Sequence, residues 1–271
     1  MTDLLVRKHA PDAAGVVLEV TPKSAGWDHV GFKVHHLAAG ESASGGEGGR
    51  EACLVVLSGT ADVAVGHRTF AGLGGRASVF EDQAPGVVYA PGGAAWSVSA
   101  TTAIELAVCT APATGAGAPR LIEADRMSRE VRGQGTNTRY VRNILPETEP
   151  ADSLLVVEVI TPGGNWSSYP PHKHDTATEA EETALEETYY HRLNPPQGFA
   201  FQRVYTDDRS LDQTMAVEDG DVVMVPRGYH PVGAPHGYDL YYLNVMAGPT
   251  RQWIFRNDPA HDWIAKKTRP G

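Results

Sequence analysis

The chain has 271 residues, with 29 glycines, 19 prolines and a formal net charge of −10. This length allows one large domain or two of about 100–150 residues, either able to bury a real core, and the many turn residues favour short strands over long helices. The acidic balance argues against nucleic acid as the main partner, since phosphate binding needs a basic face; MTDLLVRKHA lacks the apolar stretch of a signal peptide and no window approaches the roughly 18 apolar residues of a membrane span, so a soluble, cytoplasmic protein without a membrane partner is expected.

In chain order, the first half offers DHVGFKVHHLAAG (28–40), ACLVVLSGTADVAV (52–65), GVVYAPGGAAWSVSA (86–100) and TAIELAVCT (102–110) as β-branched or apolar runs between glycine-rich turns. Cys53 and Cys109 lie inside these runs and read as small buried hydrophobes, not as a disulfide framework. The small, proline-flanked residues 113–120 read as a linker between units at 1–112 and 121–271. The second half then gives SLLVVEVITP (153–162), EETYYHRLN (186–194), GFAFQRVYTDD (198–208), TMAVEDGDVVMVP (214–226) and YDLYYLNVMAG (238–248) as strands. Near-continuous apolar runs such as VVMVP suit strands covered on both sides. The acidic stretch 175–186 reads as a loop, and the tail RQWIFRNDPAHDWIAKK as a packed extension with a short helix in which Trp253, Phe255 and Trp263 serve as anchors. Both halves pair a glycine-rich turn and strand with a later apolar strand, proline and turn, which suggests duplication. The expected class is all-β, with two β-barrel (jelly-roll) domains.

Three short strings carry chemistry. In Tyr169-Pro170-Pro171-His172-Lys173-His174-Asp175, strand alternation points His172 and His174 the same way and Lys173 the other, toward a surface or interface. Glu187, Tyr189 and His191 share one face of a second strand. Gly220 opens a third, which ends in Pro226, Gly228 and His230. Three histidines and a carboxylate on separate strands can hold one divalent ion. His35 and His36 are adjacent and cannot both face one metal. The first half has no HxH pair and ends its apolar strand in APGGAAW, so it is expected to bind no catalytic metal.

The set resembles the cupin family, whose motifs also order HxH, Glu and a final His around a barrel interior. Here residues 175–186 separate His174 from Glu187, a longer gap than the generic motif has, and Glu179 sits where that motif would count its glutamate. Glu187 is preferred because it opens an aromatic strand able to hold a side chain still, whereas Glu179 lies in a run without alternation. The strings YPPHKHD, EETYYHRLNPPQGFAFQRVYTDDRSLD and GDVVMVPRGYHPVGAPHGYDLYYLNVMAG are similar to the 5-deoxy-glucuronate isomerase family. That resemblance implies a bicupin fold and aldose–ketose isomerisation of 5-deoxy-glucuronate to 5-dehydro-2-deoxy-gluconate in myo-inositol catabolism. It also implies a metal held by His172, His174, Glu187 and His230. The ion, one per chain, is left open among Mn, Zn, Fe, Ni and Co, and would act as a Lewis acid toward a carbonyl. Glu187, Tyr189 and His191 are the candidates for moving the proton. Arg192, Arg203 and Arg227 are candidates for binding the carboxylate of a small anionic sugar acid, against the plainer reading of exposed charges. Homo-oligomer formation is an expected role for the first half. An iron-dependent cupin oxygenase and a non-catalytic sugar-binding cupin stand as alternatives.

Overall fold

In the computed structural model, which describes residues 3–46, 48–115, 117–178 and 181–266, the strands build the same pair of sheets twice. The large sheet of the first half runs Arg120–Leu121, Gly86–Ala90, Arg50–Ser58, Ile104–Pro112, Gly31–Leu37, Val16–Val20, all antiparallel. Its small sheet runs Ser42–Gly45, Trp96–Ala100, Thr60–Val65, Arg68–Gly74. The second half repeats this order. Its large sheet runs Leu5–Val6, Val222–Val225, Glu186–Asn194, Asp239–Ala247, Leu155–Thr161, Arg139–Leu145, Arg129–Arg132, and its small sheet Trp166–Ser167, Val232–Gly233, Phe199–Tyr205, Asp212–Glu218. This is the all-β, duplicated arrangement expected of a bicupin. No helix is long and apolar enough to cross a membrane among the described residues.

Three cores explain why the central strands are apolar along their whole length. Each half fills the space between its large and small sheets, with Leu54, Val63 and Val98 in the first and Val157, Val204 and Val223 in the second. The opposite faces of the two large sheets meet in a shared core that includes Phe32, Val55, Tyr190 and Leu243. A central strand such as Arg50–Ser58 therefore has no wet face, and Ala52 through Leu57 are all buried. Both cysteines lie there, opposite one another, and burial pushes the Cys53 thiol up to about 12.

A reciprocal contact locks the halves together. Glu51 accepts the backbone N–H groups of Asp152, Ser153 and Leu154 at 2.8, 2.6 and 2.6 Å. Glu186, at the matching end of the other central strand, accepts those of Asp28, His29 and Val30 at 2.7, 2.8 and 2.9 Å. Each carboxylate satisfies three consecutive donors that open a strand of the other half, and buried donors left unpaired would be costly. Fully buried Arg76 adds a second tie, with Nη2 donating to Glu158 at 2.9 Å. The sheets place Leu5–Val6 with the second half, and Arg120–Leu121 with the first.

Candidate metal centre

Alternation along Glu186–Asn194 separates two jobs. Glu186 and Tyr190 face the other half, whereas Glu187, Tyr189 and His191 face the interior of the second unit. The HxH segment enters this interior on the two-residue strand His172–Lys173, paired with Arg256–Asn257 of the tail. The third element is the turn after Val222–Val225. Gly228 has φ 93°, and a Cβ there would overlap the Tyr205 carbonyl, so the turn that delivers His230 requires glycine.

Lys173 is not at the surface. The segment after it folds back over its face, and the ammonium is buried between Asp175 (2.5 Å) and Glu182 (3.2 Å). Asp175 also accepts the Gly228 N–H at 2.8 Å, tying the HxH strand to the His230 turn. Alternation gave the direction of Lys173 correctly, but the covered far side was not visible in the sequence.

His174 Nε2 lies 3.1 Å from Glu187 Oε2, and His230 Nε2 lies 3.3 Å from the same oxygen. The three donor atoms fall within 4.8 Å of one another, and all three residues are buried. Each histidine has its other ring nitrogen beside a backbone carbonyl, His174 Nδ1 at 3.3 Å from Leu185 and His230 Nδ1 at 2.8 Å from Gly228. An N–H donated there leaves Nε2 as a lone pair aimed at Glu187. His230 Nε2 is buried with no hydrogen-bond partner. An orphaned imidazole nitrogen beside a buried carboxylate is the donor set a divalent cation fits. Burial pushes the His230 pKa down to about 4, keeping the ring neutral as a ligand must be. Burial opposes protonation of His174 as well, but the Glu187 charge outweighs it and raises its pKa; that charge is what a cation would neutralise. His172 stands at the edge of this group, with its ring 4.9 Å from that of His230 and 6.4 Å from that of His174. Its backbone partner is Pro170, and burial holds its pKa well below the usual range.

Tyr189 packs beside His230 at 5.7 Å between ring centroids, and its hydroxyl lies 2.8 Å from Ser168 Oγ. Burial raises its pKa well above the ordinary value, so it keeps its proton. His191 lies farther along the strand, stacked on Tyr189 at 6.0 Å, with Nε2 donating to Gln202 Oε1 at 2.9 Å and Nδ1 unpartnered. Burial lowers its pKa to about 4.

The three arginines singled out in the sequence are engaged elsewhere. Arg192 bonds Glu105 and Asp219 (2.7 Å to the latter) at the seam between halves. Arg203 pairs with Asp212 at 2.6 Å on an exposed sheet face, and Arg227 is exposed, near Ser210. None of them lines the cleft of about 540 Å3 that opens beside His172. That cleft is bounded instead by Arg132, Arg139, Tyr169, Phe255 and Asn257. The Phe255 ring lies tilted against that of His172, 4.5 Å between centroids, so it walls the site.

Residues 4–264 match the family model described as the KduI/IolB family. A 5-deoxy-glucuronate isomerase of Geobacillus thermodenitrificans is 54% identical over 97% of this chain and 96% of its own, and one of Bacillus subtilis is 51% identical over 93% of both. The crystal structure of an IolB-like protein from Salmonella typhimurium superposes with a TM-score of 0.94 at 52% identity, covering 97% of this chain and all of that one. An oxalate decarboxylase of Lactobacillus farciminis shares the fold alone, with a TM-score of 0.66 at 13% identity over 98% of this chain and 91% of its own. The chain therefore belongs to the KduI/IolB family and is an enzyme, an isomerase of the intramolecular oxidoreductase class.

Proposed function

We propose that the protein converts 5-deoxy-glucuronate to 5-dehydro-2-deoxy-gluconate, a cytoplasmic aldose–ketose step of myo-inositol catabolism, with one divalent metal ion per chain. The observation that carries this reading is the convergence of His174, His230 and Glu187 donor atoms within 4.8 Å. The names of the relatives give it direction. His174, Glu187 and His230 would hold the ion, and His172, at the edge of this group, would be the fourth ligand. When bound, the ion supplies Lewis-acid stabilisation of charge developing on the sugar oxygens.

The chain's own residues supply the rest. Aldose–ketose isomerisation moves a proton between neighbouring carbons, so the site needs a base to take that proton and return it, and a hydrogen-bond donor to the oxygen on which charge develops. Tyr189, beside His230 and kept protonated by burial, would donate a hydrogen bond to a sugar oxygen, while Glu187 on the same strand face is the candidate base that takes the proton from one carbon and returns it to the next. His191 is neutral and stacks on Tyr189, where it would orient that ring. Fully buried Gln202 fixes His191 from the small sheet.

Metal-reconstituted protein given 5-deoxy-glucuronate should form the ketose without oxygen, nicotinamide or ATP. In deuterated water, label should enter the carbon that receives the proton. No conversion by a folded, metal-loaded sample would sink the assignment, and oxygen uptake would move it to an oxygenase.

A further inference from the structure

We propose that the cleft beside His172 is a carboxylate subsite, in which Arg139 holds the acid end of a linear sugar acid. The proposal rests on the isomerase reading for the identity of the substrate, but not for the chemistry of the cleft.

Charge is the first argument. The chain is acidic, with a net charge of −10, yet no Asp or Glu lines this cleft, while Arg139 does, next to Arg132, whose guanidinium is already paired with Glu130 at 2.6 Å. The state of Arg139 is the second. Arg192, Arg203, Arg76 and Arg126 each pair with a carboxylate. Arg139 forms no ion pair among the described residues. Its Nη1 donates to the carbonyls of Asn137 and Tyr169 at 3.1 and 3.4 Å, which fixes the guanidinium without neutralising it. The remaining edge of the fork has the geometry that grips a carboxylate with two parallel bonds. Glu130 acts on Arg139 from a distance but contacts Arg132, and a partly buried guanidinium with no carboxylate in contact is costly to keep, a cost an anionic ligand offsets. Burial does push its pKa down, though a guanidinium stays charged at any physiological pH.

Placement is the third argument. Gly133 has φ 76°, and a Cβ there would collide with the Asn137 carbonyl and with Arg139 Nη1, so glycine makes room for the guanidinium. Arg139 and His172 line the same cleft, which places the guanidinium beside the candidate metal centre. Asn137, Tyr169 and Asn257 along the same wall suit the hydroxyls of a sugar chain, and Phe255 its carbon face.

The test compares D-gluconate with D-glucitol, an uncharged polyol of the same length, by calorimetry on metal-loaded protein. The parent protein should bind gluconate roughly tenfold to a hundredfold more tightly than glucitol. Arg139→Gln should abolish that preference while metal content stays constant. Arg139→Lys keeps charge and bulk, guards against misfolding of the first variant, and should weaken gluconate several-fold without touching glucitol. With 5-deoxy-glucuronate, the loss should fall mainly on KM. A preference that survives both substitutions, or equal binding of the two probes by the parent, overturns the proposal. If gluconate discrimination depends on Arg139 but no ketose forms, the subsite stands and the isomerase reading fails.

Discussion

Ala52 and Glu187 occupy the same place in two copies of one scaffold. Each follows the glutamate that latches its half to the other, faces the interior of its own unit, and pairs with the last residue of a strand that ends in proline, Ala90 before Pro91 and Val225 before Pro226. Beyond those prolines, Ala95 stands where the second half has His230, four residues on in each case. In the first half, residues 46–49 alone join Ser42–Gly45 to the central strand, whereas residues 168–185 make the corresponding connection in the second and carry His172 and His174. The first half instead has an open cleft of about 480 Å3, lined by residues such as Glu19, Lys33, Ala52 and Trp96. The sheets are shared; a carboxylate, an imidazole and a longer connection separate a packing unit from a candidate metal centre.

The largest expected effect tests that difference at its centre. Glu187→Gln should lower metal affinity by more than about a hundredfold, exceeding what loss of a supporting hydrogen bond costs, and abolish activity. Glu179→Gln, at a position outside the described residues, should leave metal content unchanged. Metal analysis after dialysis against a chelator decides, and retention by the Glu187 variant would remove it from the ligand set.

The next effect tests the likeness. Glu51→Gln and Glu186→Gln should each destabilise by about 1–3 kcal/mol in urea unfolding, because each leaves three consecutive backbone donors, most of them only partly buried, with a weaker acceptor. A large loss from one variant alone would show that the latches are equal in geometry but not in energy.

Metal removal should be felt locally. Stripped protein should show faster amide exchange in residues 168–178 and 226–231 than in the first half, and reconstitution should restore about one ion per chain. Two tightly held ions, one lost with substitutions in residues 30–100, would break the contrast between the halves.

The smallest effect is the share of the pH dependence that His35 supplies from the first half. Burial lowers the pKa of His35 below its ordinary 6.5, with Nδ1 held against the Ala14 carbonyl. The unfolded chain therefore takes up this proton first. The stability the neutral ring confers is present above about pH 6.5 and drains away as pH falls below it. His35→Gln should lose less stability than the parent between about pH 7.5 and about pH 5.5. Equal losses would show that His35 does not contribute.

Strands buried on both faces announced themselves as unbroken apolar runs, and strand alternation was enough to place Glu187, Tyr189 and His191 on one side. The HxH pair was legible for the same local reason. Arg139 was not. Its strand, Arg139–Leu145, shows little alternation, and its role depends on Gly133 and on the missing acid partner, neither of which has a sequence signature. Arg192 misled because its partner Glu105 comes from the other half. Lys173 misled because only the folded connection shows that Glu182 covers its face.

Leu5 pairs with Val223, and Leu4 accepts the Met224 N–H at 2.8 Å, while Arg7 reaches Asp221 at 2.5 Å and Lys8 reaches Asp219 at 3.3 Å. During synthesis, the beginning of the chain leaves the ribosome long before the strand it will join exists. Both halves can assemble most of their sheets from neighbouring segments, but one margin of the second must wait for Leu5–Val6 to return. Until they do, Val222–Val225 presents an open edge to other nascent copies, and edges of that kind recruit strangers. Anything fused ahead of Leu4 would sit beside that final closure.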